Sequence, residues 1–84
     1  MTDLSDADLM NRIKAADAAA FRELLNRFER KVFGLAWRLT ASEADARDLT
    51  QDVFLKVWKN PAAWQPTAKL DTWLYRVAYN AFID

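Results

Sequence analysis

Only one glycine and two prolines occur in the 84 residues, and the prolines, Pro61 and Pro66, bracket a single short stretch. Glycine and proline are the strongest punctuators of a chain, so long uninterrupted elements are expected on either side of that stretch. No run alternates apolar and polar residues as a half-buried strand would. Apolar residues recur instead at three- and four-residue spacing. The expected fold class is therefore all-α, a compact bundle of about four helices.

Capping chemistry sets the helix limits. Ser5 followed by Asp8 is a variant of the capping box and opens a short helix to about Ala15, with Leu9, Met10 and Ile13 inward. Asp17 suits the cap of the next helix. There Phe21, Leu24, Leu25, Phe28, Val32, Leu35, Ala36 and Leu39 keep the helical period to about Leu39. Gly34 lies inside it, at a cost of about 1 kcal/mol relative to alanine, and close packing against a neighbouring helix is the expected reason. Ser42, with Glu43 and Asp45 in the first turn, starts a third helix to about Lys59. The acidic residues suit its N-terminal dipole, and Lys56 and Lys59 its C-terminal end. The loop NPAAWQPTA follows, with Thr67 placed to cap the last helix. Leu70, Trp73, Leu74, Val77, Ala78 and Ala81 then form one buried stripe. No internal repeat, low-complexity segment or linker is evident.

Composition narrows the chemistry. With 52% hydrophobic and 29% charged residues the chain is a folding one. At this size it buries somewhat over about 60% of its unfolded surface, so its stability margin is thin. Cysteine and histidine are both absent. That excludes disulfides, thiolate chemistry, a catalytic triad, a histidine base and most zinc sites. Asp45, Asp48 and Asp52 can share one helix side, but no second carboxylate cluster accompanies them. There is no phosphate-binding glycine loop. No enzyme activity, cofactor or metal is expected. No apolar run approaches the roughly 20 residues of a membrane span, and the start lacks a signal peptide's pattern. A cytoplasmic protein without membrane insertion is the expectation. Twelve basic and 12 acidic side chains cancel, which argues against a nucleic-acid partner, yet residues 53–84 hold four basic and two acidic ones.

Two surfaces are not explained by a core. On the third helix, Leu49, Val53, Phe54, Val57 and Trp58 make a wide buried face, and Asp48, Gln51, Asp52, Leu55 and Lys59 fall opposite. This is either a solvated face with one exposed leucine or a docking face for a protein, centred on Leu55 with a hydrogen-bonding rim. On the last helix, Thr72, Arg76 and Asn80 form one row, with Tyr75, Tyr79 and Phe82 beside it. Trp64 sits in the loop before. Tyrosine and tryptophan rings offer faces on which a base can stack. Lys56, Lys59, Lys69 and Arg76 can hold phosphates. Asn80 has the paired donor and acceptor that read a base edge, and Thr72 does so more weakly. The alternative is that Trp64 plugs the end of the core and the tyrosines pack on the second helix. From the residues alone, a nucleic-acid-binding domain and a helical protein-interaction module both stay open.

DLTQDVFLKVWKN, followed after a short loop by DTWLYRVAYNAFID, resembles region 2 of bacterial RNA polymerase sigma factors, closest to the extracytoplasmic-function (ECF, group IV) group. The opening LSDADLMNRIKAADAAAFRELLNRF is similar to that group's start, so the resemblance covers essentially the whole chain. The paired motifs D-x-x-Q-[DE]-x-F-x-x-[VA]-[WY] and T-W-L-[YF]-R-[IV]-A-x-N are far more specific together than either alone.

The resemblance implies a transcription initiation factor domain without catalysis. It implies that the helix bearing Asp48, Gln51, Asp52 and Leu55 docks on the clamp helices of the largest subunit of core RNA polymerase. The loop from Trp64 to Lys69, with Gln65 and Thr67, matches the one that captures a base flipped from the non-template single strand of the −10 promoter DNA. Thr72, Tyr75, Arg76 and Asn80 match the helix that faces this strand, with Tyr79, Lys56 and Lys59 alongside. Trp73 matches a family tryptophan that elsewhere is one of two adjacent aromatics wedging the duplex open; here its neighbour is Leu74, and core and wedge roles both stay open. An anti-sigma factor that covers these surfaces is a further expected partner.

Departures from the family pattern matter. Many relatives have a Gly- or Arg-containing loop where this chain has AWQPTAK. The basic segment that commonly follows the last helix, and the helix-turn-helix domain that reads the −35 element, have no counterpart in these residues. Asp84 is an unfavourable charge at a helix C-terminus. The resulting expectation is a region 2 fragment spanning residues 1–84.

Overall fold

The computed structural model describes residues 1–84. Its helices are α1 (Asp6–Lys14), α2 (Ala18–Thr40), α3 (Glu43–Lys59) and α4 (Leu70–Ile83), with a single 3-10 turn, Pro61–Ala63, between the last two. The expected all-α bundle is what forms. Three of the four starts are capped as the residues predict. Ser5 Oγ accepts from the Asp8 amide at 3.1 Å. Asp17 Oδ1 accepts from Ala19 and Ala20 at 3.0 and 3.2 Å. Ser42 Oγ accepts from Asp45 at 3.3 Å. The fourth differs. Thr67 caps nothing: α4 starts beyond Lys69 without a side-chain cap, and Asp71 Oδ1 takes the Thr72 amide at 2.7 Å instead.

Short turns force consecutive helices back on one another. Ala16 and Ala41 close α1 and α2 in the left-handed region, at φ 62° and 54°. After α1 the Ala16 amide donates to Ile13 and the Asp17 amide to Arg12, so Asp17 both finishes one helix and caps the next. The left-handed region is strained for alanine and free for glycine. Ala41→Gly is therefore expected to stabilise the domain by about 0.5–1 kcal/mol despite the looser unfolded chain. The thermal midpoint, followed by circular dichroism, should rise by roughly 2–8 °C; a fall would show that the turn relaxes without strain.

The core is built around α2, which packs on each of the other three helices. Ala20, Leu24, Phe28 and Val32 form its inward row and meet Leu9, Met10 and Ile13 of α1, Val53, Phe54 and Val57 of α3, and Leu70, Leu74 and Ala78 of α4. A second, smaller cluster of Ala36, Ala46 and Leu49 closes the α2–α3 end, with Ala81 against it. The predicted α4 stripe is narrower than its spacing suggests: Leu70, Leu74 and Ala78 are buried, and Trp73, Val77 and Ala81 line its edge half-buried.

Gly34 departs from expectation. It is exposed, and a methyl group at that position would meet no atom within 4 Å, so close packing inside the fold is not its reason. Periodicity also missed a polar knot. Arg27 Nε donates to Glu23 Oε2 at 2.9 Å, Nη1 to Asp6 Oδ1 at 3.1 Å, and Nη2 to the carbonyls of Met1 and Thr2 at 3.1 and 3.2 Å. This ties the start of the chain to α2. The hydrogen bond to Glu23 comes first in holding the guanidinium pKa above its ordinary value, ahead of the opposing burial and the Asp6 contact. A raised cation pKa contributes stability below the unfolded value and loses it only as pH climbs through the folded one. Both lie far above neutrality, so the knot is indifferent to pH near 7.

Candidate binding faces

The α4 row emerges as the spacing predicts. Thr72, Arg76 and Asn80 are all exposed, Tyr75 is half-buried, and Tyr79 stands 52% exposed beside them. Leu70, Leu74 and Ala78 hold the opposite side of the helix in the core, so the row cannot rotate inward without exposing them. The side chains of Tyr75, Arg76, Tyr79 and Asn80 make no hydrogen bond or ion pair within the domain; Thr72 Oγ1 alone reaches a partner, Asp71 Oδ1 at 3.4 Å. A free guanidinium, a free amide and a tyrosine face within two turns offer a phosphate contact, a base-edge contact and a stacking platform side by side.

Trp64 requires a correction. It is only 4% exposed, lies in the same cluster as Leu9, Met10, Ile13 and Leu70, and donates from Nε1 to the Ala68 carbonyl at 3.1 Å. Its ring is therefore not offered to a base. An indole in so short a loop has more to gain from burial than from water, and the loop's own carbonyl satisfies its one donor. Its role is to pin residues 64–68 to the bundle. What the loop leaves outward is Gln65, Pro66, Thr67 and Lys69, all exposed.

Trp73 is placed between the two alternatives. Half-buried against the core, it also lines a cleft of about 360 Å³ with Lys56, Lys59, Asn60, Ala63 and Val77. Two lysines thus flank an accessible indole edge where α3, the 3-10 turn and α4 meet. Lys56 lies 3.9 Å from Asp52, a half-exposed pair worth at most about 1 kcal/mol. That pair marks the border between the α4 side and the α3 face.

On α3, Asp48, Gln51, Asp52, Leu55 and Lys59 all face outward, with Leu55 53% exposed. The spacing missed the neighbouring wall. Gln51 and Leu55 line a groove of about 840 Å³ between α2 and α3, together with Phe21, Leu25, Phe33 and Gly34 of α2. Arg30 and Glu29 stand on the α2 rim and Arg47 on the α3 rim. Phe21 of this wall also packs at a tilt on Trp58, ring centroids 5.1 Å apart. The signal was in the sequence: Phe21, Leu25, Phe33 and Trp37 share one i+4 row of α2. Their partial exposure depends on where α3 stops, which periodicity does not state.

Fold and faces together define a helical binding domain with two unlike surfaces, one polar and aromatic, the other an apolar groove with a charged rim. No group of histidine, cysteine or acidic side chains is arranged to hold a metal. Comparison with known proteins then settles the family. Residues 24–84 match the family Sigma-70 region 2, and the chain belongs to it. Among curated proteins it is similar to the ECF RNA polymerase sigma-E factor of Haemophilus influenzae, 35% identical over 77 residues, which are 92% of this chain and 40% of that protein. It is 34% identical over 77 residues to the ECF RNA polymerase sigma-E factor of Escherichia coli K12, covering the same shares, 92% and 40%. The ECF RNA polymerase sigma factor SigW of Bacillus subtilis is 29% identical over 75 residues, 89% of this chain and 40% of that one. The chain thus spans about two fifths of the length of these relatives. Among solved structures, an engineered region 2 of sigmaE in complex with GTAAAA superposes with a TM-score of 0.83 at 34% identity, covering 95% of this chain and 83% of that one.

Proposed function

We propose that this domain is a cytoplasmic transcription initiation module without catalytic activity, which docks on core RNA polymerase through α3 and holds the non-template strand of the −10 element through α4 and the preceding loop. The observation that carries this reading is the α4 row: Thr72, Arg76 and Asn80 exposed beside Tyr75 and Tyr79, with Arg76 and Asn80 unpartnered. The similar solved region 2 was determined with a six-base strand, GTAAAA, which supports assigning a single strand to the same helix here. In this reading Lys56, Lys59 and Lys69 join Arg76 on phosphates, Tyr75 and Tyr79 stack, and Gln65 and Thr67 border the captured base. Opening the duplex and flipping a base costs a few kcal/mol. Binding supplies that energy in this reading, as the sequence carries no phosphate-binding glycine loop. The clamp helices of the largest subunit are the proposed contact for Asp48, Gln51, Asp52 and Leu55. An anti-sigma factor covering both faces is the proposed regulator.

The reading is tested by titrating single-stranded −10 oligonucleotides against salt, with the domain bound to core polymerase. Arg76→Ala should lower affinity for every oligonucleotide alike and flatten the salt slope by close to one unit, since a lost phosphate contact removes one counterion release. A salt-independent affinity, or a change of base preference in this variant, would count against the assignment.

A further inference from the structure

Most of the positive charge of this chain lies away from the α4 row. α2 holds Arg22, Arg27, Arg30, Lys31 and Arg38 against Glu23 and Glu29, the largest cationic excess of any helix. Arg27 is neutralised in the polar knot by Glu23 and Asp6. Lys31 and Arg38 are exposed and make no hydrogen bond or ion pair within the domain. Arg38, in the last turn, suits the C-terminal dipole of α2. Lys31 is in mid-helix, and no residue three or four places from it is acidic. The fold gives it no electrostatic partner.

Neighbours fix the flank these cations occupy. Lys31, Leu35 and Arg38 fall at i, i+4 and i+7 and share one side of α2. Leu35 is half-buried against the main core, while the groove toward α3 takes Leu25, Glu29 and Phe33, across the buried row Phe28, Val32 and Ala36. Lys31 and Arg38 therefore stand on the flank away from α3. On α4, Trp73 and Val77 line the cleft with Lys56 and Lys59 and so mark the α3 flank. Tyr75 and Phe82 lie across the buried row Leu70, Leu74 and Ala78, toward α2. The C-terminal ends of α2 and α4 meet where Ala81 packs on the Ala36 cluster. Packed helices lie about 8–10 Å apart, so the cations of this flank border the aromatic side of α4 directly.

We propose that Lys31 and Arg38 form a second phosphate-binding strip, which takes the backbone of the same single strand where it passes off the α4 row over Tyr79 and Phe82. The inference rests on the reading of α4 as the DNA face. Charge and continuity name the occupant. A strand carries a phosphate at every step, and the strip adjoins the row. The rings between them, Tyr79 at 52% and Phe82 at 42% exposure, offer faces for bases. Cations that track a backbone beside stacking aromatics hold a single strand without regard to its sequence. Lys31 and Arg38 lie roughly 10 Å apart along the helix axis, far enough for separate phosphates.

The test measures affinity for single-stranded −10 oligonucleotides across a salt series, with the domain bound to core polymerase. The variants are Lys31→Ala, Arg38→Ala, their combination, Arg76→Ala, and Arg22→Ala, an exposed cation at the start of the same helix. Lys31→Ala and Arg38→Ala should each weaken binding several-fold at low salt, on every base sequence alike. Each should flatten the salt slope by about 0.7–0.9 unit, and the combination by about twice as much. Arg38→Lys should keep the slope. Arg22→Ala should leave it nearly unchanged, which separates a contact from the loss of one net charge. Thermal midpoint and polymerase affinity should stay near those of the unaltered chain in the Lys31 and Arg38 variants. If Arg76→Ala flattens the slope and Lys31→Ala and Arg38→Ala do not, the strip is overturned and the α4 reading stands. If none of the three does, both fall. An Arg22→Ala effect as large as the others, or a loss of polymerase instead of oligonucleotide at Lys31 and Arg38, overturns the strip as well.

Discussion

Trp64→Ala is expected to cost the domain about 3–5 kcal/mol, the usual loss for truncating a buried aromatic. A chain of this size has only about 5–10 kcal/mol to lose, so the variant should be largely unfolded or close to it at growth temperature. The indole is 4% exposed, shares the core cluster with Leu9, Met10 and Ile13 of α1 and Leu70 of α4, and donates a hydrogen bond across the loop to Ala68 at 3.1 Å. Trp64→Phe separates the two contributions. It keeps most of the apolar contact and loses the Nε1 bond, at a cost of about 1 kcal/mol. Urea denaturation followed by far-ultraviolet circular dichroism reads both. A Trp64→Ala domain that kept its urea midpoint and lost only oligonucleotide binding would return Trp64 to the role of a stacking surface.

Asn80→Ala should leave stability nearly unchanged and alter what the domain reads. The amide is exposed, has no partner within the domain, and lies two helical turns along the row from Thr72. A bidentate base contact is worth about 1–3 kcal/mol of discrimination, so preference at one position of the −10 element should flatten by roughly tenfold or more. Gln65 and Thr67 lie on the far side of Lys69 and should govern a different position. Altering either is expected to shift preference at the captured base and leave the Asn80 position intact. Relative affinities for oligonucleotides with each base varied, measured with the domain on core polymerase, give the answer. Equal weakening on every variant would make the row a generic contact.

Much of the α3 and α4 faces was legible in the sequence, because a helix turns linear spacing into angular position without outside help. The row Thr72, Arg76 and Asn80 faces solvent because Leu70, Leu74 and Ala78 cannot. Asp48, Gln51, Asp52 and Leu55 face outward for the same reason. The loop was not legible in this way. Outside a periodic element, nothing in the order of residues says whether Trp64 points to the core or away. The bundle decides it: α1 and α4 leave an apolar space at that end, and the indole fills it.

Residue order was enough to fix the number of helices, the capped starts of the first three, and the outward direction of the α3 and α4 faces. Those depend on caps, on spacing and on the scarcity of glycine and proline, all of them local. Tertiary structure alone decided which faces meet. Phe21 and Leu25 read as core residues from their spacing, and together with Phe33 they become the floor of an open groove because α3 covers only part of that row. Gly34 read as a packing glycine, and the three-dimensional arrangement leaves empty space above it. Burial is a property of two surfaces in contact, and a single chain order describes only one of them.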